Sequence, residues 1–342
     1  MTPVGEQTVA VITGASGGVG RATARLLGSR RARVGLIARG RRGLEAAKRE
    51  IEAQGGQGLV LAADVSSPRQ MEAAAAAVER RLGPIDLWIN NAMVSMYSPF
   101  MRMRPEEFAH IVEVTFLGAV NGARAALRRM LPRDRGVIIQ VGSALAFRSI
   151  PLQSAYCASK HAIQGFVESL RSELIHEESA VRVSVVNLPA LNTTQFIWTR
   201  NRMGRACRPV GTIFEPEVAA EAILFAAEHQ RRELMVGFST VKATMGEKFI
   251  PGMLDRKLAH QAWEGSLLKR RLAPRRADNF WKPVNRDLGA RGTFARLARR
   301  HSPELWLAEH RPLAAAAAML SPVGRRHPLP SAKPITNPRR KG

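Results

Sequence analysis

Thr8-Val9-Ala10-Val11-Ile12-Thr13-Gly14-Ala15-Ser16-Gly17-Gly18-Val19-Gly20 decides the fold. Its first six residues form an apolar, β-branched run too short for a helix, so they read as a buried strand. Gly14, Gly18 and Gly20 follow at once, and a helical pattern then continues to Leu27. Strand, glycine-rich turn and helix open a βαβ unit. In such a unit the turn lets the backbone approach a diphosphate, and the helix N-terminus attracts its charge. The spacing is G-x-x-x-G-x-G, with Ser16 and Val19 in the same turn as further candidate ligand contacts.

The pattern repeats outward from this stretch. Further strands are expected at 33–38, 59–62, 85–89, 136–141 and 181–186, and an edge strand at 234–236. Helices are expected at 41–54, 68–81, 105–130, 154–177 and 216–229. Pro68, Pro105 and Pro216 stand at helix starts, where a missing N–H costs nothing. Near-continuous apolar strands alternating with helices imply an α/β fold: a Rossmann-type, doubly wound parallel sheet of about seven strands covered on both faces. The catalytic domain is expected over residues 1–240. An irregular, basic C-terminal extension is expected over 241–320, partly packed, and a disordered tail over 321–342.

Of the 342 residues 45% are hydrophobic, enough for a sizeable core. No apolar run approaches the ~20 residues that span a bilayer. The two cysteines, Cys157 and Cys207, form no disulfide framework, and a cytoplasmic location is expected. The net charge of +24 is weighted to the end of the chain, where residues 241–342 hold 22 basic against 7 acidic side chains. No compact basic motif with interleaved aromatics accompanies it, so nucleic acid is not an expected partner. Peripheral membrane contact has no support at this level. No metal site is expected.

The end of the second strand bears on the cofactor. An NAD site uses a carboxylate there for the ribose 2′-hydroxyl. Here the run is Ala38-Arg39-Gly40-Arg41-Arg42, and Arg39 can pair with a 2′-phosphate instead, which favours NADP over NAD. Asp64-Val65 follows the third strand, where a carboxylate can meet an adenine amino group. Asn90-Asn91-Ala92 follows the fourth, at the carboxyl edge where such sheets bind ligands. Tyr156 and Lys160 are four apart, hence on one helix face. A free tyrosine has a pKa of ~10. A neighbouring ammonium favours the phenolate, making Tyr156 a candidate general acid/base. Ser143, just after the fifth strand, can reach the same point and hydrogen-bond a substrate carbonyl.

Together these residues resemble the short-chain dehydrogenase/reductase family over roughly residues 7–237. The resemblance rests on the TGASGGVG turn, Asn90-Asn91-Ala92, Ser143, Tyr156/Lys160, and Pro189-Ala190 with Thr193. It implies hydride transfer between NAD(P)H and a carbonyl or alcohol. Tyr156 would donate the proton, Lys160 would hold the nicotinamide ribose and tune Tyr156, and Ser143 would orient the substrate. Pro189 and Thr193 would lie by the nicotinamide. It also implies a homodimer or homotetramer built on the helices at 105–130 and 154–177. Three positions depart from the family pattern: Thr115 where a relay asparagine is usual, Ala190 for a glycine, and Met93 for a glycine. Thr115 can still bond water, so it is retained as a relay candidate. The loop from Pro189 to about Phe214, with Leu191, Phe196, Ile197 and Trp198, is expected to face a hydrophobic substrate, opposite Met93, Met96 and Phe147. Arg148 and Arg200 stand ready for an acidic group. Trp263, Trp281 and Trp306 suggest that parts of the extension dock. The alternative reading is a non-catalytic dinucleotide-binding regulator or scaffold whose basic tail contacts nucleic acid or membrane.

Overall fold

Every residue of β1 (Val9–Thr13) is buried, because the strand lies mid-sheet with parallel neighbours on both sides. The structure is a computed structural model that describes residues 3–273, 276–284 and 286–310. Around β1 stand β2 (Arg33–Ala38), β3 (Gln57–Ala62), β4 (Leu87–Asn90), β5 (Val137–Ser143), β6 (Arg182–Leu188) and β7 (Glu233–Met235). The sheet is wholly parallel, in the order β3-β2-β1-β4-β5-β6-β7. The chain therefore winds one way from β1 to β3 and the other way from β4 onward. Ligands of open α/β sheets bind at the carboxyl ends of the strands where that reversal occurs.

The helices are α1 (Gly18–Ser29), α2 (Arg41–Glu52), α3 (Pro68–Leu82), α4 (Pro105–Val112), α5 (Gly118–Met130) and α6 (Ser154–His176). They continue with α7 (Gln195–Trp198), α8 (Pro216–Glu228), α9 (Phe238–Phe249), α10 (Pro251–Gly265) and α11 (Pro303–Glu309). On one face α1 packs beside α2 and α8; on the other α3 meets α5 and α4 meets α6. Pro68, Pro105 and Pro216 each occupy the first helical turn, as expected. The helix expected at 105–130 is not continuous. A wide π-type turn at Glu113–Leu117 separates α4 from α5 and turns Thr115 inward. None of the helices formed by the described residues is long and apolar enough to cross a membrane.

The boundary expected at residue 240 does not divide the packing, since the chain up to Leu305 forms one compact unit. Much of the extension is regular. α9 and α10 make a helical hairpin, and Leu267–Arg271 pairs antiparallel with Arg205–Cys207 of the loop after β6. Residues 276–284 and 286–294 then run along the carboxyl edge of the sheet, with Phe280 fully buried in the main core. Trp263 packs against the cluster of Tyr97, Phe196 and Leu267, whereas Trp281 stays 42% exposed. Trp306 belongs to a second unit starting at that residue and stacks on His310. The tail expected over 321–342 lies outside the described residues.

Candidate active site

The glycine turn is locked from the neighbouring strand. Thr13 Oγ1 accepts the Asn91 and Ala92 N–H groups at 2.9 and 3.0 Å, and Asn91 Nδ2 donates to Thr13 O at 2.9 Å. Gly14 (φ +71°) and Gly18 (φ +56°) adopt left-handed conformations that glycine tolerates best. A Cβ on Gly20 would stand 2.4 Å from Gly14 O and 2.6 Å from Asn91 Nδ2, so its role is close approach rather than ligand contact. Gly14, Ser16, Gly18, Val19 and Asn91 line one cavity of about 540 Å³; Gly20 lies behind them. No side chain caps α1 and no acid sits in its first turn, which leaves the helix end suited to an anion. These features fit the diphosphate of a dinucleotide. Gly20→Ala is expected to push the turn apart and weaken dinucleotide binding at least 10-fold, as read by cofactor fluorescence titration.

At the far end of the same cavity the extension forms a roof. Arg39 Nη1 donates to Phe280 O and Trp281 O, each at 3.1 Å, and Nη2 to Asn279 O. Burial lowers the Arg39 pKa, opposed by the nearby Asp64. Arg39 still lines the cavity, beside Asp64, Val65, Pro283 and Arg286. Asp64 is oriented by Ser66, whose N–H and hydroxyl donate to Oδ1. The roof is pinned by Arg21, which is buried and bonds Glu50 at 2.7 Å, Gly43 O at 2.7 Å and Asp287 at 3.4 Å. Gly18 N–H also donates to Gly289 O at 3.3 Å. Nothing in the local pattern of residues 276–292 signals that they return to the glycine turn.

Ser143, Tyr156 and Lys160 converge on the opposite end of the cavity, where Pro189 and Thr193 also line the wall. The Ser143 hydroxyl neighbours the Tyr156 side chain and favours its ionised form, while accepting the Leu145 N–H at 3.1 Å. Lys160 is 4% exposed; its Nζ donates to Val141 O at 2.7 Å and lies 5.6 Å from the Tyr156 ring centroid. The expectation that Lys160 lowers the Tyr156 pKa is corrected. Burial dominates and drives Tyr156 upward, partly opposed by the neighbouring Ser143 hydroxyl, so Tyr156 is held as a neutral phenol. Burial also pushes Lys160 down to about 8 from 10.5. The unfolded chain therefore binds the extra proton between those values, and stability rises with pH across that interval by on the order of 1 kcal/mol per unit. Urea unfolding of wild type at the two ends of the interval is expected to show this increment. Lys160→Met is expected to lack it, and equal pH dependence in both proteins would refute the assignment.

Thr115 stands elsewhere. Its hydroxyl donates to Val94 O at 3.0 Å and accepts Val94 N–H at 3.3 Å, 1% exposed and outside the cavity wall. It fastens the loop after β4. Met93, Leu191 and Phe196 line the substrate end, whereas Trp198 lines the cavity beside Gly17 of the glycine turn, Met96 is wholly in the core, Phe147 stands outside this cavity and Ile197 is exposed. Arg148 is engaged by Glu247 at 2.5 Å and Asp255 at 2.6 Å, and Arg200 by Glu107 at 3.1 Å and Asp278 at 3.4 Å; neither is left for an acidic ligand. Among the lining residues outside the sequence expectations are Tyr97 and its neighbour Gln153. Gln153 stands at the N-cap of α6, three residues before Tyr156, and that spacing is the one signal that could have found it.

The family model for the short chain dehydrogenase matches residues 8–203. The uncharacterized oxidoreductase YxnA of Bacillus subtilis is 31% identical over 271 residues, spanning 78% of this chain and 76% of the relative. The 3-oxoacyl-[acyl-carrier-protein] reductase FabG of Vibrio cholerae is 30% identical, over 65% of this chain and 90% of its own. Among solved structures, a metagenomic short-chain oxidoreductase in complex with NADP superposes with a TM-score of 0.58 at 32% identity, over 68% of this chain and 98% of that one. An alcohol dehydrogenase from Thermococcus sibiricus, complexed with 5-hydroxy-NADP, gives 0.58 at 27% identity, over 67% and 95%.

Proposed function

The chain belongs to the short-chain dehydrogenase family, and on that premise we propose that it is an NADP-dependent oxidoreductase interconverting an apolar carbonyl compound and its alcohol. The observation that carries the reading is one cavity with the glycine turn at one end and Ser143, Tyr156 and Lys160 at the other. The cofactor supplies or accepts the hydride at the substrate carbon. In reduction, the Tyr156 hydroxyl gives its proton to the substrate oxygen as the carbonyl becomes an alcohol; in oxidation the proton returns. A phenol kept neutral by burial suits the donor role. Ser143, within bonding reach of Tyr156, directs the substrate oxygen to that hydroxyl. Lys160 lies behind the ring and would hold the nicotinamide ribose.

The preference for NADP rests on the cations Arg39 and Arg286 at the roofed end and on the absence of a carboxylate at the close of β2. The NADP-bound solved relatives support it. Met93, Leu191 and Phe196 suit a hydrophobic substrate, and a homo-oligomer pairing through α4, α5 and α6 fits the family. Titration with NADPH and NADH is expected to favour NADPH at least 10-fold, and loss of nicotinamide absorbance is expected with some member of an apolar ketone and aldehyde panel. NADH binding as tightly would overturn the cofactor assignment. A folded, NADPH-binding protein inert on the whole panel would overturn the catalytic one.

A further inference from the structure

The α9–α10 hairpin closes the substrate end of the cavity, to which Ser239, Lys242, Leu254, Lys257 and Leu258 contribute. Its outward face is unusual. Phe238, Lys242, Met245 and Phe249 recur at intervals of four, three and four residues and so form one stripe along α9. Phe238 is 63% exposed, Met245 48% and Phe249 73%. The stripe continues through Ile250 at 44% and Met253 at 65% on α10. Isolated exposed apolar residues are ordinary; five adjoining ones at a cavity mouth mark an interaction surface.

Charge decides what the surface fits. The hairpin's acids are all engaged: Glu247 and Asp255 by Arg148, and Glu264 by Arg205. Lys242, Lys248, Arg256 and Lys257 are exposed, and no ion pair with a carboxylate forms at any of them among the described residues. Apolar side chains ringed by uncompensated cations match an anionic bilayer surface, where the former enter the acyl boundary and the latter meet headgroup phosphates. A second copy fits poorly, because self-pairing would set four cations against four.

We propose that the α9–α10 hairpin docks on an anionic membrane surface, so that the cavity mouth admits a lipophilic carbonyl or alcohol from the bilayer. The docking stands on the hairpin alone; the substrate route rests on the oxidoreductase reading above.

The test is co-sedimentation of the full chain with phosphatidylcholine vesicles and with phosphatidylcholine–phosphatidylglycerol vesicles. Partitioning at least 10-fold stronger onto the anionic vesicles, and weakened by added salt, is expected. Phe249→Ser/Met253→Ser and Lys248→Glu/Arg256→Glu, all outside the cavity wall, are expected each to reduce it at least 10-fold. Both are expected to keep wild-type NADPH affinity, which reports an intact fold. Equal or absent binding to the two vesicle types would overturn docking. So would self-association abolished by the same variants, which would assign the face to a second copy. Vesicle binding together with turnover of a water-soluble ketone but none of a bilayer-dissolved one would overturn the substrate route alone. Vesicle binding with no turnover of any carbonyl would leave docking standing and sink the oxidoreductase reading.

Discussion

Tyr156→Phe is expected to lower carbonyl reduction by about 10²–10⁴-fold while NADPH still binds, because only the proton donor is removed. The ring is retained, so the packing of α6 against the cavity wall survives. Ser143 keeps its bond from the Leu145 N–H at 3.1 Å. The change should appear in kcat, since the proton moves in the transition state rather than on binding. Steady-state kinetics with the best panel substrate, paired with NADPH titration, reads both effects. Turnover within a factor of a few of wild type would show that another group delivers the proton. Gln153, beside Tyr97 in the same cavity, would then be the next residue to change.

Phe280→Ala is expected to cost about 3–5 kcal/mol of stability, the range for emptying a large buried aromatic site. Phe280 is fully buried in the main core; its ring lies 5.1 Å from that of His110, with the Arg200 guanidinium 5.4 Å away. Its carbonyl accepts from Arg39 Nη1 at 3.1 Å and His110 Nε2 at 2.9 Å. Loosening this anchor frees the roof over the adenosine end, so NADPH affinity should fall with stability. Urea unfolding reads the first effect and cofactor titration the second. Phe280→Leu, which keeps most of the volume, is expected to lose far less of either. A loss below about 1 kcal/mol in Phe280→Ala would show that the segment is not a structural part of the fold.

Most of the sheet was legible because its signals are local. β2 falls on the expected residues 33–38, where a short apolar run between polar turns admits one reading. The 105–130 helix was legible in extent but not in its break. The π-type turn depends on the Thr115 hydroxyl finding Val94, twenty-one residues away, and no local pattern records that meeting. The membership of the cavity was legible for Ser143, Tyr156 and Lys160, since strand end and helix face place them by spacing alone. Their electrostatics were not. Spacing predicts that Lys160 acidifies Tyr156, but burial, a property of the whole fold, outweighs the pair and drives Tyr156 the other way.

What the sequence determined by itself is the parallel sheet, the glycine turn and the Ser143/Tyr156/Lys160 constellation, all built from periodicity and short-range spacing. Only the tertiary structure decided that residues 276–284 and 286–294 return to roof the cavity, that the Nη groups of Arg39 are held by backbone carbonyls of that roof, and that α9 and α10 close the other end. The physical reason is sequence distance. Arg39 and Phe280 lie 241 residues apart, and a contact of that span depends on how two finished elements pack, which neither segment's own residues encode.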